Sequence, residues 1–140
     1  MKHLLVVDDE PFVRDALKRV LEGEAVAVDT APDAESALGR LQNQPIDVVI
    51  VDVIMPGMDG VQLIKQLRAD FPSVRIVAIS GGGNFELSGY RPEAVSTRAY
   101  LAAATNAGAD ATLAKPFDTA ELEAVVRPLL ERAPARRAPN

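Results

Sequence analysis

A chain of 140 residues is long enough for one domain with a real core and too short for two. It has no cysteine and a single histidine, His3, which excludes disulfides, thiolate metal sites and a multi-histidine zinc centre. A net charge of −5 argues against non-specific nucleic-acid binding, which needs a basic face to neutralise phosphates, and 48% hydrophobic content is that of a soluble globular protein.

The first apolar run, residues 4–7, reads as a strand and is too short for a signal-peptide core or a membrane span, so a cytoplasmic protein without a membrane partner is expected. It runs into "DDE", Asp8, Asp9 and Glu10. A helical period follows over residues 11–22, with Pro11 in the first turn, where its missing N–H costs nothing, and Gly23 placed for a left-handed C-cap. Residues 25–28 predict a second strand and residues 33–42 a second helix. The third strand, 47–51, ends at Asp52 in "VDVIMPGMDG", and the third helix spans 60–70. The fourth strand, 75–79, ends at Ser80, after which three glycines open a polar stretch, residues 81–91, before a fourth helix over 92–107. Residues 111–113 predict the fifth strand, followed by "LAKPF", with Lys115 ahead of Pro116. The last helix, 119–131, is opened by "DTAE", residues 118–121, which has capping-box spacing. Pro128 inside it removes one hydrogen bond, which predicts a kink or an early end. The Pro-, Ala- and Arg-rich remainder, 132–140, lacks an apolar period and is expected to be a disordered tail, leaving 1–131 as the domain.

Short apolar runs alternating with helical periods are the signature of β-α units and a parallel sheet. Five such units with right-handed crossovers fit a doubly wound α/β fold, in which ligands bind beyond the carboxyl ends of the strands. That rule gathers Asp8, Asp9, Asp52, Ser80 and Lys115 onto one rim. Taken singly, each has a plain explanation: the first two aspartates as helix caps, Asp52 as a turn former, Lys115 as a solvated charge. Four strand ends agreeing argues for a site. Three clustered carboxylates repel one another and recruit a cation, and an all-oxygen donor set suits Mg²⁺. Asp52 then has the chemistry of a carboxylate nucleophile toward phosphorus, with Lys115 and the Ser80 hydroxyl clamping the equatorial oxygens.

The combination "VVDDE", "VDVIMPGMDG", "IS" and "KPF" resembles the receiver domain of two-component response regulators, over residues 2–130. The resemblance implies a flavodoxin-like five-stranded sheet in the order 2-1-3-4-5 with five helices. It also implies that Asp52 is the phosphoacceptor, that Asp8, Asp9, Asp52 and the main-chain carbonyl of Ile54 hold Mg²⁺, that Ser80 is the switch hydroxyl, and that Lys115 pairs with the phosphate. A cis Lys115–Pro116 bond goes with it. The implied phosphoryl donor is a phosphohistidine on a sensor histidine kinase or a phosphotransfer protein. The only chemistry implied is self-catalysed phosphoryl acceptance and autodephosphorylation, so the protein is not expected to be an enzyme. About ten residues follow Leu130, so a stand-alone receiver is expected, signalling to an unidentified output protein, by phosphate relay or by homodimerisation.

Two departures stand out against that family. Receivers usually carry Tyr or Phe three residues before the lysine, where this chain has Thr112, and the stretch 81–91 lengthens the distance from Ser80 to Lys115 by roughly a dozen residues, beyond the usual length of an unstructured loop. No phosphate-loop motif is present there, so a mobile loop is the expectation. Thr112 and this insertion motivate an alternative, a phosphorylation-independent interaction module on the same fold. An aspartate-nucleophile phosphatase usually needs a second Asp two residues after the nucleophile, where this chain has Ile54.

Overall fold

The architecture follows from where valine, isoleucine and leucine fall in the chain. In the computed structural model, which describes residues 1–54, 60–80 and 93–132, they build β1 (Lys2–Val7), β2 (Val26–Ala31), β3 (Val48–Asp52), β4 (Arg75–Ser80) and β5 (Ala111–Ala114). Between and after the strands lie α1 (Pro11–Leu21), α2 (Ala34–Asn43), α3 (Gly60–Asp70), α4 (Glu93–Ala107) and α5 (Thr119–Arg132). The strands form one parallel sheet in the order β2-β1-β3-β4-β5, as the doubly wound reading expected.

Every residue of β3 is buried, as a central strand covered on both faces must be. Alternate residues feed two cores. Leu5, Val7, Val49, Val51, Ile76 and Ala78 pack with α2, α3 and Ala104 of α4. Leu4, Val6, Val48, Ile50, Val77 and Ile79 pack with Leu17 and Leu21 of α1 and Leu122 and Val126 of α5. Each fully buried aliphatic side chain contributes about 1.5–3 kcal/mol relative to exposure, so the sheet position of these runs is strongly specified. Register then places the site: Val7 lies beside Val51, Asp52 beside Ile79 and Ser80 beside Ala114, bringing four carboxyl ends to one edge.

Helix ends match the sequence in part. Asp118 and Glu121 form the expected reciprocal box, each backbone N–H donating to the other's carboxylate at 3.0 and 2.7 Å. Asp33 caps α2 by accepting from the Ser36 N–H at 2.8 Å, a bond that holds its carboxyl below the usual carboxylate range. Gly23 is not a left-handed cap. Helix α1 instead ends as Glu22 turns extended, φ −73° and ψ 140°, and Gly23 and Val26 pair across a tight reversal. The one positive-φ glycine among the described residues is Gly108, at φ +127°, closing α4. The early end that Pro128 allowed does not occur, since α5 continues to Arg132. Pro128 and Ala124, whose carbonyl loses its partner, are both exposed, so water can satisfy that carbonyl. The expected loop at 81–91 and tail at 133–140 lie outside the described residues.

At the edge remote from the strand carboxyl ends, Arg68 of α3 ties the connection before β4 to the connection before β5. Its guanidinium donates to the carbonyls of Gly108 (2.8 Å), Pro72 (2.9 Å) and Val74 (2.8 Å) and pairs with Asp110 at 2.9 Å. No helix among the described residues is long and apolar enough to cross a membrane.

Candidate functional site

Asp8 extends β1 by one residue, its N–H donating to the Ala31 carbonyl at 3.2 Å, and this carries its carboxylate into full burial. One oxygen accepts the Glu10 N–H at 2.9 Å. The other faces Lys115. Asp52 is the last residue of β3 and is also buried, with Oδ1 accepting the Ile54 N–H at 3.0 Å. Asp9 stands exposed beside them, and Asp8, Asp9 and Asp52 each bring a carboxylate oxygen within 4.8 Å of the others.

Lys115 follows β5 and reaches back across the edge, its Nζ 3.4 Å from Asp52 Oδ2 and 3.5 Å from Asp8 Oδ2. The Lys115 backbone N–H donates to the Ser80 carbonyl at 2.7 Å, and the Lys115–Pro116 bond is cis, as expected. Ser80 is fully buried, and its hydroxyl has no hydrogen-bond partner among the described residues. Among the described residues that hydroxyl therefore keeps its donor capacity unused.

Electrostatics follow from burial and charge count. Burial pushes the Asp52 carboxyl up to about 6, opposed by the Ile54 N–H and the Lys115 ammonium and assisted by the neighbouring Asp8. Burial alone would lower the Lys115 ammonium, but Asp52 and Asp8 outweigh it and the net direction is upward. One ammonium paired with two of three clustered carboxylates leaves uncompensated negative charge, and the donors are hard oxygens with Asp9 open to water. That set fits a hydrated Mg²⁺, which is held by one or two carboxylates and retains several waters.

All of the side chains singled out in the sequence, Asp8, Asp9, Asp52, Ser80 and Lys115, stand at the same sheet edge. Ile54 follows directly, 39% exposed, with its N–H committed to Asp52. Thr112 pairs with Ala78 in β5 and is partly buried. Sequence reasoning missed two supports. A Cβ on Gly60 would lie 2.3 Å from Val53 Cα and 2.5 Å from the Asp52 carbonyl oxygen, so only glycine lets α3 start against β3. Arg14 donates from Nη1 to the Asp8 carbonyl at 2.8 Å. The glycine was visible in "MDG", although its contact was not; nothing in the sequence marked Arg14.

Residues 4–90 match the family profile of the response regulator receiver domain. The chain is 40% identical over 135 residues to the response regulator Rre1 of Synechocystis, a match covering 94% of this chain and 53% of that protein. It spans about half the length of the curated relatives it matches. Among solved structures it is similar to a CheY-like receiver domain protein from Methanospirillum hungatei, with a TM-score of 0.78 and 25% identity over 95% of this chain and 96% of that one. It is also similar to the response regulator TrrA of Thermotoga maritima in complex with Mg²⁺-BeF, with a TM-score of 0.72 and 33% identity over 93% of this chain and 100% of that one.

Proposed function

The chain belongs to the response regulator receiver domain family, and from that membership we propose that Asp52 accepts a phosphoryl group from a phosphohistidine on a sensor histidine kinase or phosphotransfer protein. The observation that carries the reading is the placement of a buried carboxylate at a strand's carboxyl end, 3.4 Å from an ammonium and within 4.8 Å of two further carboxylates. A carboxylate oxygen of Asp52 attacks phosphorus, the bond from phosphorus to the donor imidazole nitrogen breaks, and the electron pair leaves on that nitrogen. Lys115 then pairs with a phosphoryl oxygen, and the Ser80 hydroxyl, without a partner among the described residues, donates to another. The ammonium offsets, and the hydroxyl disperses by a hydrogen bond, the charge that the phosphoryl group brings to a buried place.

Asp8, Asp9 and Asp52, with the main-chain carbonyl of Ile54, would hold Mg²⁺, which when bound supplies charge neutralisation at the phosphoryl oxygens. TrrA, a relative of the same fold, was crystallised in complex with Mg²⁺-BeF, which supports a Mg²⁺-dependent reading. Incubation with acetyl phosphate and Mg²⁺ followed by intact mass measurement tests the proposal. The expected result is a gain of one phosphoryl group that is absent in EDTA and in Asp52→Asn; a gain that survives Asp52→Asn sinks the assignment. Thr112, only partly buried where the family carries an aromatic, favours a second reading in which partner binding does not depend on phosphorylation. That reading gains if a captured partner binds wild type and Asp52→Asn equally.

A further inference from the structure

Glu10, the N-cap residue of α1, makes no side-chain cap, so the segment that carries both aspartates from β1 into the helix is held by other bonds. Asp8 Oδ1 accepts the Glu10 N–H, the Arg14 N–H bonds the Glu10 carbonyl at 3.1 Å, and the Arg14 guanidinium bonds the Asp8 carbonyl at 2.8 Å. That last carbonyl belongs to a residue with no exposed surface. Without Arg14 it would lose a charge-assisted partner in a place where backbone groups are rarely left unpaired. Among the described residues Arg14 makes no carboxylate ion pair within 4 Å, so its engagement with the acidic cluster runs through the main chain and not through the carboxylates.

We infer that Arg14 is a positioning residue for the metal site, fixing the peptide between Asp8 and Asp9 so that the two carboxylates are presented together. The inference rests on the Mg²⁺ reading given above. A partner one step removed from a metal ligand orients it, and loss of such partners typically weakens metal binding by about 10–100-fold. Among the described residues the Arg14 side chain does this through the Asp8 carbonyl it bonds.

The direction of the effect separates this role from a bulk charge effect. A guanidinium acting only as a nearby positive charge repels a divalent cation, so its removal strengthens Mg²⁺ binding. A guanidinium that holds the ligands weakens binding when removed. The test is calorimetric titration of Mg²⁺ into the whole chain, wild type against Arg14→Met, which keeps the apolar stem, and Arg14→Lys, which keeps a donor at its end. Thermal melts in EDTA accompany it. Arg14→Met is expected to bind Mg²⁺ about tenfold more weakly while remaining folded at the titration temperature, its EDTA melt lowered by the unpaired Asp8 carbonyl, and Arg14→Lys to recover most of the loss in binding. Equal or tighter binding in Arg14→Met overturns the inference, as does a lysine that recovers nothing. If the wild-type chain binds no Mg²⁺, the metal reading itself fails and the inference falls with it, a result distinct from wild-type binding that Arg14→Met leaves intact.

Discussion

Lys115 Nζ stands 3.4 Å from Asp52 Oδ2 with both side chains largely shielded from water, and the same ammonium lies 3.5 Å from the buried Asp8. One cation thus serves two carboxylates. Replacing it with a group that carries no charge leaves both acids without their counter-charge, and leaving a buried polar group unpaired costs about 1–3 kcal/mol. Lys115→Met is therefore expected to melt several degrees below wild type at pH 7.5 in EDTA. Saturating Mg²⁺ narrows the gap, because a bound cation replaces the missing charge. A melt unchanged in EDTA would show that the pair contributes nothing to folding.

The Asp52 carboxyl sets a pH dependence in the metal-free protein. Its folded value of about 6 lies above the ordinary 3.8, so between those values the folded state binds more protons than the unfolded one. Stability from this group is fully present below pH 3.8 and lost as pH rises through about 6. Asp52→Asn, which cannot ionise, avoids that loss. In EDTA the variant should melt above wild type at pH 7.5, with the difference shrinking as the pH is lowered toward 4. A variant that melts no higher than wild type at pH 7.5 contradicts the upward shift. Mg²⁺ acts in the opposite sense, raising wild type more than the asparagine variant.

Ser80 gives a prediction in which stability and signalling part. Its hydroxyl is buried with no partner among the described residues, and unpaired burial of a hydroxyl costs about 1–3 kcal/mol. Ser80→Ala removes that cost and leaves a void of one atom, so urea denaturation should find it as stable as wild type or up to about 1 kcal/mol more stable. The proposed nucleophile and Lys115 are untouched, so mass spectrometry should still find phosphoryl uptake. What should disappear is the change in amide exchange of β4 and β5 between the free and phosphorylated forms. Ser80→Ala melting well below wild type would mean that the hydroxyl is already satisfied in the resting protein.

The site was legible because each of its side chains ends a strand or directly follows one, and strand order alone then decides which ends share an edge. Asp8, Asp52, Ser80 and Lys115 each stand at the end of a run whose apolar pattern is hard to mistake. Helix punctuation was less legible. "DTAE" specifies its own hydrogen bonds within four residues, whereas Gly23 only offers a conformation, and Glu22 had already left the helix. A Cβ at Gly23 would meet nothing within 4 Å, so nothing there demands glycine. Arg68 and Arg14 were invisible for another reason. Apart from the Arg68–Asp110 pair, their partners are main-chain carbonyls of Pro72, Val74, Gly108 and Asp8, which carry no residue-type signal in a sequence.

Gly60 and Gly108 both exclude side chains, but at opposite ends of the sheet, and that separates folding from the site. At Gly108 a side chain meets the left-handed backbone, φ +127°, and the Arg68 side chain at 3.1 Å. Gly108→Ala is expected to cost about 1–3 kcal/mol in urea denaturation, the range for a non-glycine residue held in a strained conformation. Phosphoryl uptake at saturating Mg²⁺ should stay close to wild type, because Arg68 and Gly108 lie at the edge remote from Asp52. At Gly60 the obstruction is rigid backbone of the residues that hold the site, Val53 Cα at 2.3 Å and the Asp52 carbonyl at 2.5 Å. Gly60 also bonds the end of β3 directly, its N–H donating to the Val53 carbonyl at 3.1 Å, while the Ile54 N–H holds Asp52 Oδ1. Gly60→Ala must therefore displace α3 or the peptide that carries Asp52, and it should lose phosphoryl uptake out of proportion to its stability, measured against Gly108→Ala at matched fraction folded. Equal uptake by the two variants would mean that the strand end absorbs the displacement without moving the carboxylate.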